Sequence, residues 1–562
     1  MTNKKFIGAF LFVSFLIALV LRLYRIDTLP LYIDETSGHY WFLHQLSLRS
    51  GNIFNLFYRT LYLGTSTLTW LLGNNMLGVR FPAAFFGSLL TLFFFLFVRA
   101  LQKDKKLSIS LVSVLLIIFL PWSHMIGRIG YTNIAIILNL ILLHLYFFIG
   151  AKKIKDYLLS LTFILIALFY YHSMVVVVPV VVLLFMKVIY SESTDKVRKL
   201  MIALSFISVL FLFPLVVNRY KLLSGSGRGL DLAIWRDVNT PYDTDKYRAL
   251  SWNSLPTLFS FGLPPEQLAN KLFLNRATAN LSVFTRNYLS FFSPDWLFLK
   301  GDAILRHSTG MVGAFYPFLL PFMLYGAFRF FKTADPKTRN LFLVWILVSP
   351  IPAALTKDGA GYLLRAVTML PFLTYFCALG LVESFNLVRK NWRWPYGIVI
   401  ALIGFYSVWS FFYSYFHVYP ALSARAYEYG FKELSDFQVS HNNAPMLVVW
   451  DGYYHNGDFR FWQKTPFDQH EAFKLRQIVI GESTFWQTFG NLYFSAPKTV
   501  EDIVAFLKEN PVSYIVLPDR YFVKYPEEIE ELLIPVEKIK YPDQTTALEI
   551  FTPKLDKKIL PR

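Results

Sequence analysis

The sequence predicts a polytopic α-helical membrane protein that carries a small C-terminal α/β domain. Three observations predict it. Apolar segments of roughly 20 residues, the length a helix needs to cross a bilayer core, recur from the N-terminus to about residue 416. Only 16% of the 562 residues are charged and 55% are hydrophobic. A water-soluble chain ordinarily carries roughly 25% charged residues, so this one has too few to coat its surface. Past residue 416 the pattern changes to short β-rich runs and one amphipathic helix.

In chain order the apolar segments are 6–24, 80–100, 107–126, 130–150, 157–171, 173–190, 199–217, 308–331, 339–356, 364–386 and 396–416. They predict about 11 transmembrane helices. The first follows Lys4 and Lys5 as a signal peptide would, but "RLYRIDTLP" comes next instead of a small-residue cleavage site. It therefore reads as an uncleaved span. Residues 52–79 are apolar but interrupted by Arg59 and by "GNN" at 73–75, which suggests interfacial or re-entrant helices, with one further span as the alternative.

Short basic loops set the orientation. "QKDKK" (102–106), "AKKIK" (151–155), "TDKVRK" (194–199), "FKTADPKTR" (331–339) and "VRKNWR" (388–393) all fall on one side, which is then cytoplasmic. The extracytoplasmic side receives loop 25–79, the tip around Arg128, "YYHS" at 170–173, the long loop 218–307, the short loop 357–363 and the tail. The expected organisation is a transmembrane module over 1–418, with external loops 25–79 and 218–307, and an extracytoplasmic domain over 419–562. Such a chain belongs in a plasma membrane of the bacterial inner-membrane type. In the tail, "MLVVW" (446–450), "QIVIG" (477–481) and "SYIVLP" (513–518) read as buried strands. "TVEDIVAFLKEN" (499–510) reads as a helix capped by Thr499, with Glu501 and Asp502 near its positive end.

Two classes are excluded early. The net charge of +18 is dispersed between apolar segments and not massed on one patch, which argues against nucleic acid as a partner. Cys377 is the single cysteine, so there is no intrachain disulfide, and no Cys/His zinc spacing occurs.

The candidate chemistry lies in the predicted external segments. Asp34 and Glu35 open "DETSGHYWF" in a strongly acid-poor region close to the membrane surface. Acids favour a helix N-terminus, so a solvated helix start explains them as well as a reaction centre does. Arg128, Lys357 and Arg365 are cations in short external loops that should be poor in them. An arginine near membrane depth needs an anionic partner, either an internal carboxylate or a bound phosphate. Lys300, Asp302, Arg306 and His307 crowd before a predicted span, and His172 is a second interfacial histidine. A solvated charge cluster and a packed histidine are the plain alternatives there.

With these residues in view, the chain resembles the membrane glycosyltransferases of the GT-C fold. It resembles in particular the protein-mannosyltransferase and aminoarabinose-transferase-like group, glycosyltransferase family 39 and its bacterial relatives. The resemblance rests on the "DE" at 34–35 and on "LGNNMLGVRFPAAFFGSLLTLFFFLFVRAL" (72–101) and "SHMIGRIGYTNIA" (123–135). "FSPDWLFLKGDAILRHSTGMVGAFY" and "LTKDGAGYLLRAVTMLPFL" complete it, in that order. It implies inverting transfer of a sugar from a polyprenyl-phosphate-linked donor to an acceptor hydroxyl on a protein, lipid A or an envelope glycan. It also implies membrane lipid as surroundings and an extracytoplasmic active site.

In that reading Asp34 is the general base and Glu35 positions the acceptor or assists. Arg128, Lys357 and Arg365, with Arg306 and His307, hold the lipid phosphate, and His172, Lys300 and Asp302 belong to the same substrate-binding set. Many relatives carry a second acid where this chain has Asn133. A divalent metal is therefore left open as a cofactor, with no ligand set assigned. A polyprenyl-linked lipid or polysaccharide transporter is the alternative function. Such proteins usually show internal repeats and mid-span charges, whereas here the charges gather at one surface. A non-catalytic envelope assembly protein is a third reading, in which the acids are dispensable.

Overall fold

In the computed structural model, residues 2–47, 53–102, 107–192, 232–237, 273–451, 455–464, 475–488, 491–520 and 523–554 are described, with scattered positions in 198–216 and the turn 244–246. The chain forms two compact units. One comprises Met1–Arg22 and Ala83–Phe411, the other Leu23–Pro82 and Phe412–Arg562.

Among the described residues, five helices are long and apolar enough to cross a bilayer: Lys4–Leu23, Met76–Leu101, Thr132–Ile149, Leu363–Leu387 and Lys390–His417. The chain is an integral membrane protein. Two of these helices turn their apolar side chains outward. Only 6% of the Lys390–His417 window is buried, and Trp394, Leu402, Phe405, Tyr406 and Trp409 are each at least 63% exposed. A continuous apolar surface of this kind is stable against lipid and not against water.

Several predicted spans differ from the helices found. Segment 107–126 forms two helices, Leu107–Phe119 and Pro121–Arg128, bent by 55°. The cause is Pro121: the residue before a proline is pushed out of the helical region, and Leu120 is extended at φ −67°, ψ 138°. Segment 308–331 becomes α-helical only from Leu320, after a 3-10 turn at Pro317–Leu319. Gly310 sits at φ +72°, and Gly313 lies so close to the Leu297–Phe298 backbone that a Cβ would come within 2.3 Å of Phe298 N. The Ile154–Ala167 and Pro336–Val348 helices are also short, at 14 and 13 residues. About half of segment 199–217, and residues 218–231, 238–243 and 247–272 of the long loop, lie outside the described residues.

Inside the first unit the Leu320–Thr333 and Leu370–Leu387 helices touch backbone to backbone. A Cβ on Gly326 would lie 1.9 Å from Phe376 O, and one on Gly380 would lie 1.9 Å from Phe322 O. Small residues at a crossing are how helices in lipid gain close van der Waals contact.

The second unit contains a seven-stranded sheet in the order β2-β3-β4-β1-β5-β7-β6. Its strands are β1 Met446–Val449, β2 Arg476–Ile480, β3 Ser483–Gln487, β4 Leu492–Ser495, β5 Tyr514–Pro518, β6 Leu533–Lys540 and β7 Thr546–Pro553. The central β1 is wholly buried and pairs in parallel with β4 and β5. Parallel neighbours require a crossover, and the Val500–Glu509 helix provides the one from β4 to β5. Thr499 caps that helix by accepting from Asp502 N–H at 3.2 Å, as expected. The second predicted strand differs in environment: β2 is an edge strand, mostly exposed, and not a buried one. The same unit holds the predicted external loop 25–79, folded as the Ile33–Ser47 and Ile53–Leu72 helices, a turn at Gly73 with φ +75°, and the start of the Met76–Leu101 helix.

Candidate functional site

The Ile33–Ser47 helix begins one residue before the acidic pair. Consecutive residues on a helix point about 100° apart, and the two carboxylates enter opposite environments. Asp34 is exposed. Among the described residues no hydrogen bond or ion pair engages its carboxylate. Glu35 is 2% exposed. Arg80 Nε donates to Glu35 Oε1 at 2.9 Å, and Arg80 Nη2 donates to Oε2 at 2.8 Å. Arg80 also donates to Ile26 O at 2.8 Å, Leu29 O at 2.9 Å and Pro30 O at 2.7 Å. A guanidinium has five N–H groups, so every one of them is used. The ion pair thereby ties the chain entering the Ile33–Ser47 helix to the start of the Met76–Leu101 helix.

Arg80 was not among the residues the sequence singled out, although an arginine at the start of an apolar span is a signal that it needs a partner. The arrangement also bears on a metal at the acidic pair. Both Glu35 oxygens are taken by Arg80, which leaves Asp34 as a lone carboxylate among the described residues. The pair is not a chelating set.

In the first unit the structure brings Asp302, His307 and Arg365 into one network. Asp302 is buried: its Oδ1 accepts from Ile304 N–H at 2.9 Å, and its Oδ2 accepts from Leu363 N–H at 2.8 Å. His307 Nδ1 lies 2.6 Å from the same Oδ2. The imidazole packs against the rings of Tyr362, at 4.7 Å between centroids, and Tyr131, at 5.6 Å. The Arg365 guanidinium lies over the same Tyr362 ring, 4.0 Å from its centroid. It donates through Nη1 to Asp358 Oδ1 at 2.6 Å and Thr356 Oγ1 at 2.5 Å, and through Nη2 to Asp358 Oδ2 at 3.2 Å. Partial burial opposes ionisation of Asp358, but the Arg365 hydrogen bond and charge outweigh it and hold the carboxyl below its ordinary value. Arg365 thus has an internal carboxylate partner, which the sequence analysis did not name.

The short loop that carries these groups is fixed from both ends. Trp296 Nε1–H donates to Gly361 O at 2.7 Å, Gly361 N–H donates to Ser290 Oγ at 2.8 Å, and Asn287 Nδ2 donates to Thr356 O at 2.7 Å. The other predicted residues make contacts of their own. Lys357 is exposed, and its backbone N–H donates to Leu232 O at 2.8 Å. Lys300 is exposed and pairs with Asp295 at 3.5 Å. His172 is exposed and its ring packs at a tilt of 44° against Tyr171, 4.2 Å between centroids. Arg306 is half-buried. Arg128 is buried at the end of the Pro121–Arg128 helix and donates to Arg22 O at 3.0 Å. Arg22 in turn donates to Ser123 O and Oγ, at 3.2 and 2.9 Å. Asn133 Oδ1 is buried with no hydrogen-bond partner among the described residues.

No protein-family model matches the sequence, and no curated protein matches it either. Solved structures do match. The Archaeoglobus fulgidus oligosaccharyltransferase in its apo form aligns at a TM-score of 0.50 and 12% identity, over 98% of this chain and 75% of that one. The same enzyme tethered to an acceptor peptide containing the NVT sequon aligns at 0.50 and 13%, over 99% and 75%. The chain has the GT-C fold. ArnT from Cupriavidus metallidurans in the apo state also aligns, over the full length of both chains, with a TM-score of 0.40 and 10% identity. At such identities the likeness concerns the fold, and the chemistry must come from the side chains.

Proposed function

We propose that the protein is an inverting glycosyltransferase that moves a sugar from a polyprenyl-phosphate-linked donor to an acceptor hydroxyl on the extracytoplasmic face of the membrane. The observation that carries this reading is the division of labour between two neighbouring acids. Glu35 is locked by Arg80, while Asp34, one residue away, presents an exposed carboxylate without a partner among the described residues. A general base must be held in place and yet be open to its substrate. A solvated helix start would need no buried ion pair beside it. The fold, shared with an oligosaccharyltransferase, supports glycosyl transfer as the reaction class.

In the proposed reaction Asp34 removes the acceptor O–H proton as that oxygen attacks the anomeric carbon. The bond between that carbon and the phosphate oxygen breaks, and polyprenyl phosphate leaves with the bond's electron pair. The state between is oxocarbenium-like, so its energy falls when positive charge meets the departing phosphate. Lys357 and Arg306 are the cations we assign to that phosphate, since neither is buried. His307 Nδ1 is held against Asp302 Oδ2, which fixes the direction in which Nε2 points. Arg365 can join only by sharing its guanidinium with Asp358. Glu35 positions the helix that carries Asp34 and does not touch the acceptor.

The test is incubation of purified protein with a panel of polyprenyl-phosphate sugars, scored for sugar release or transfer. Activity in the wild type that disappears in Asp34→Asn supports the reading. Full activity in Asp34→Asn removes Asp34 as base.

A further inference from the structure

Glu428, His455 and Asp458 bring one ligand atom each to within 4.8 Å of one another in the second unit. His455 and Asp458 are both 2% exposed. His455 Nδ1 lies 2.8 Å from Asp458 Oδ2 and 3.9 Å from Glu428 Oε2. The imidazole cannot swing away. It is stacked on Phe431 at 4.0 Å with an interplanar angle of 9°, and Trp450 meets it edge-on at 4.8 Å. Each carboxylate is aimed by a second contact. Thr36 Oγ1 donates to Asp458 Oδ1 at 2.8 Å, and Ile33 N–H donates to Glu428 Oε2 at 3.2 Å.

Charge makes this cluster more than a hydrogen-bonded set. Among the described residues the Asp458 carboxylate touches a hydroxyl and an imidazole, and no lysine or arginine pairs with it. A buried carboxylate needs a countercharge. Here that charge is either an imidazolium or a cation seated among the three groups. We propose that Glu428, His455 Nδ1 and Asp458 bind a divalent transition-metal ion of the zinc type, which ties the first turn of the Ile33–Ser47 helix to the 428–458 segment. One imidazole and two carboxylates suit zinc, whereas calcium and magnesium prefer all-oxygen shells. Zinc holds its nitrogen and oxygen ligands at about 2.0–2.2 Å, so the three atoms draw together around it. Thr36 and Ile33 then supply the outer contacts that such sites use to orient their ligands. The site uses neither Asp34 nor Glu35 as a ligand, and it would hold in place the helix on which Asp34 stands.

The experiment uses the full chain, purified in detergent, stripped with chelator and titrated with zinc alone, with calcium in parallel. Bound metal is read by elemental analysis and affinity by a competing zinc dye. The expected result is about one zinc per chain, no calcium, and a loss of at least tenfold in affinity in Glu428→Gln. Glu428→Gln is chosen because Glu428 is only partly buried and glutamine can still accept from Ile33 N–H. Its melting temperature without metal is expected to match that of the stripped wild type, and zinc is expected to raise the melting temperature of the wild type alone. Wild type that holds less than a tenth of an equivalent would overturn the proposal and leave an imidazolium–carboxylate network. Equal zinc affinity in wild type, Glu428→Gln and Asp458→Asn would overturn it as well, by placing the metal elsewhere.

Discussion

Glu35→Gln tests the central assignment, that Glu35 is a pin and Asp34 the reactive acid. The substitution keeps the shape of the side chain and removes its charge. Arg80 is left buried with its three backbone carbonyl partners, at 2.7–2.9 Å, and without its carboxylate. Breaking a buried ion pair by neutralising one partner costs about 3–5 kcal/mol, because the remaining charge stays desolvated. The low end applies here, since the carbonyls still receive three of the five donors. For a unit of this size each kcal/mol moves the melting temperature by roughly 2–4 °C, so a drop on the order of 10 °C is expected. The assay is thermal unfolding of the detergent-solubilised protein, with sugar transfer measured well below the melt. Arg80→Gln should fall by a similar amount, and the double variant Glu35→Gln/Arg80→Gln by clearly less than the two together, since it buries no unpaired charge. A Glu35→Gln protein that melts within about 2 °C of wild type and yet has lost transfer would refute the assignment. Glu35 would then act on substrate directly.

Asp34→Asn should lower transfer by roughly 10²–10⁴-fold, the usual contribution of a general base, and leave the melting temperature unchanged. Asp302→Asn should weaken the hold on His307 and lower transfer, with His307→Gln lowering it by a similar factor. For the Arg365–Asp358 pair the sign follows from the lowered Asp358 pKa. The folded value lies below the unfolded one, so the stabilisation is present above about pH 4 and disappears as pH falls through the folded value. The melting-temperature gap between wild type and Asp358→Asn should therefore be constant at neutral pH and close in acid. Gly326→Ala and Gly380→Ala should each lower the melting temperature of the first unit, because the added methyl meets backbone at 1.9 Å and the helices must part. Reporter fusions at residues 153 and 450 should report from opposite sides of the membrane, and the same side for both would sink the proposed topology.

Much of the fold was legible because lipid imposes a crude and strong rule. A helix that meets lipid must be apolar along its whole length, and Lys390–His417 shows it, with 6% of its window buried. Rules of this kind locate helices but not breaks that depend on one residue. Pro121 lies inside an apolar run and still splits it by 55°. Within the sheet, β1, β5 and the Val500–Glu509 helix follow from apolar runs and a threonine cap. The edge strands β2 and β6 are largely exposed, so burial leaves little pattern in their sequence.

The candidate site was legible as residue types and not as partnerships. Asp34 and Glu35 are adjacent and look equivalent in sequence, but 45 residues separate Glu35 from the arginine that removes it from solvent. Arg365 reads in sequence as a costly cation, and its answer, Asp358, lies seven residues away in the same short loop. His455 and Asp458 share a helix start, yet the third member, Glu428, comes from a turn 27 residues earlier than His455, so no short motif announces the trio. A charge in an apolar sequence says that a partner exists. Only the fold says whether that partner is another residue, as for Glu35 and Arg365, or must come from outside, as the exposed carboxylate of Asp34 suggests. A sequence reading of a membrane enzyme gains most by asking of each misplaced charge which residue could silence it, since the ones left unsilenced are the candidates for chemistry.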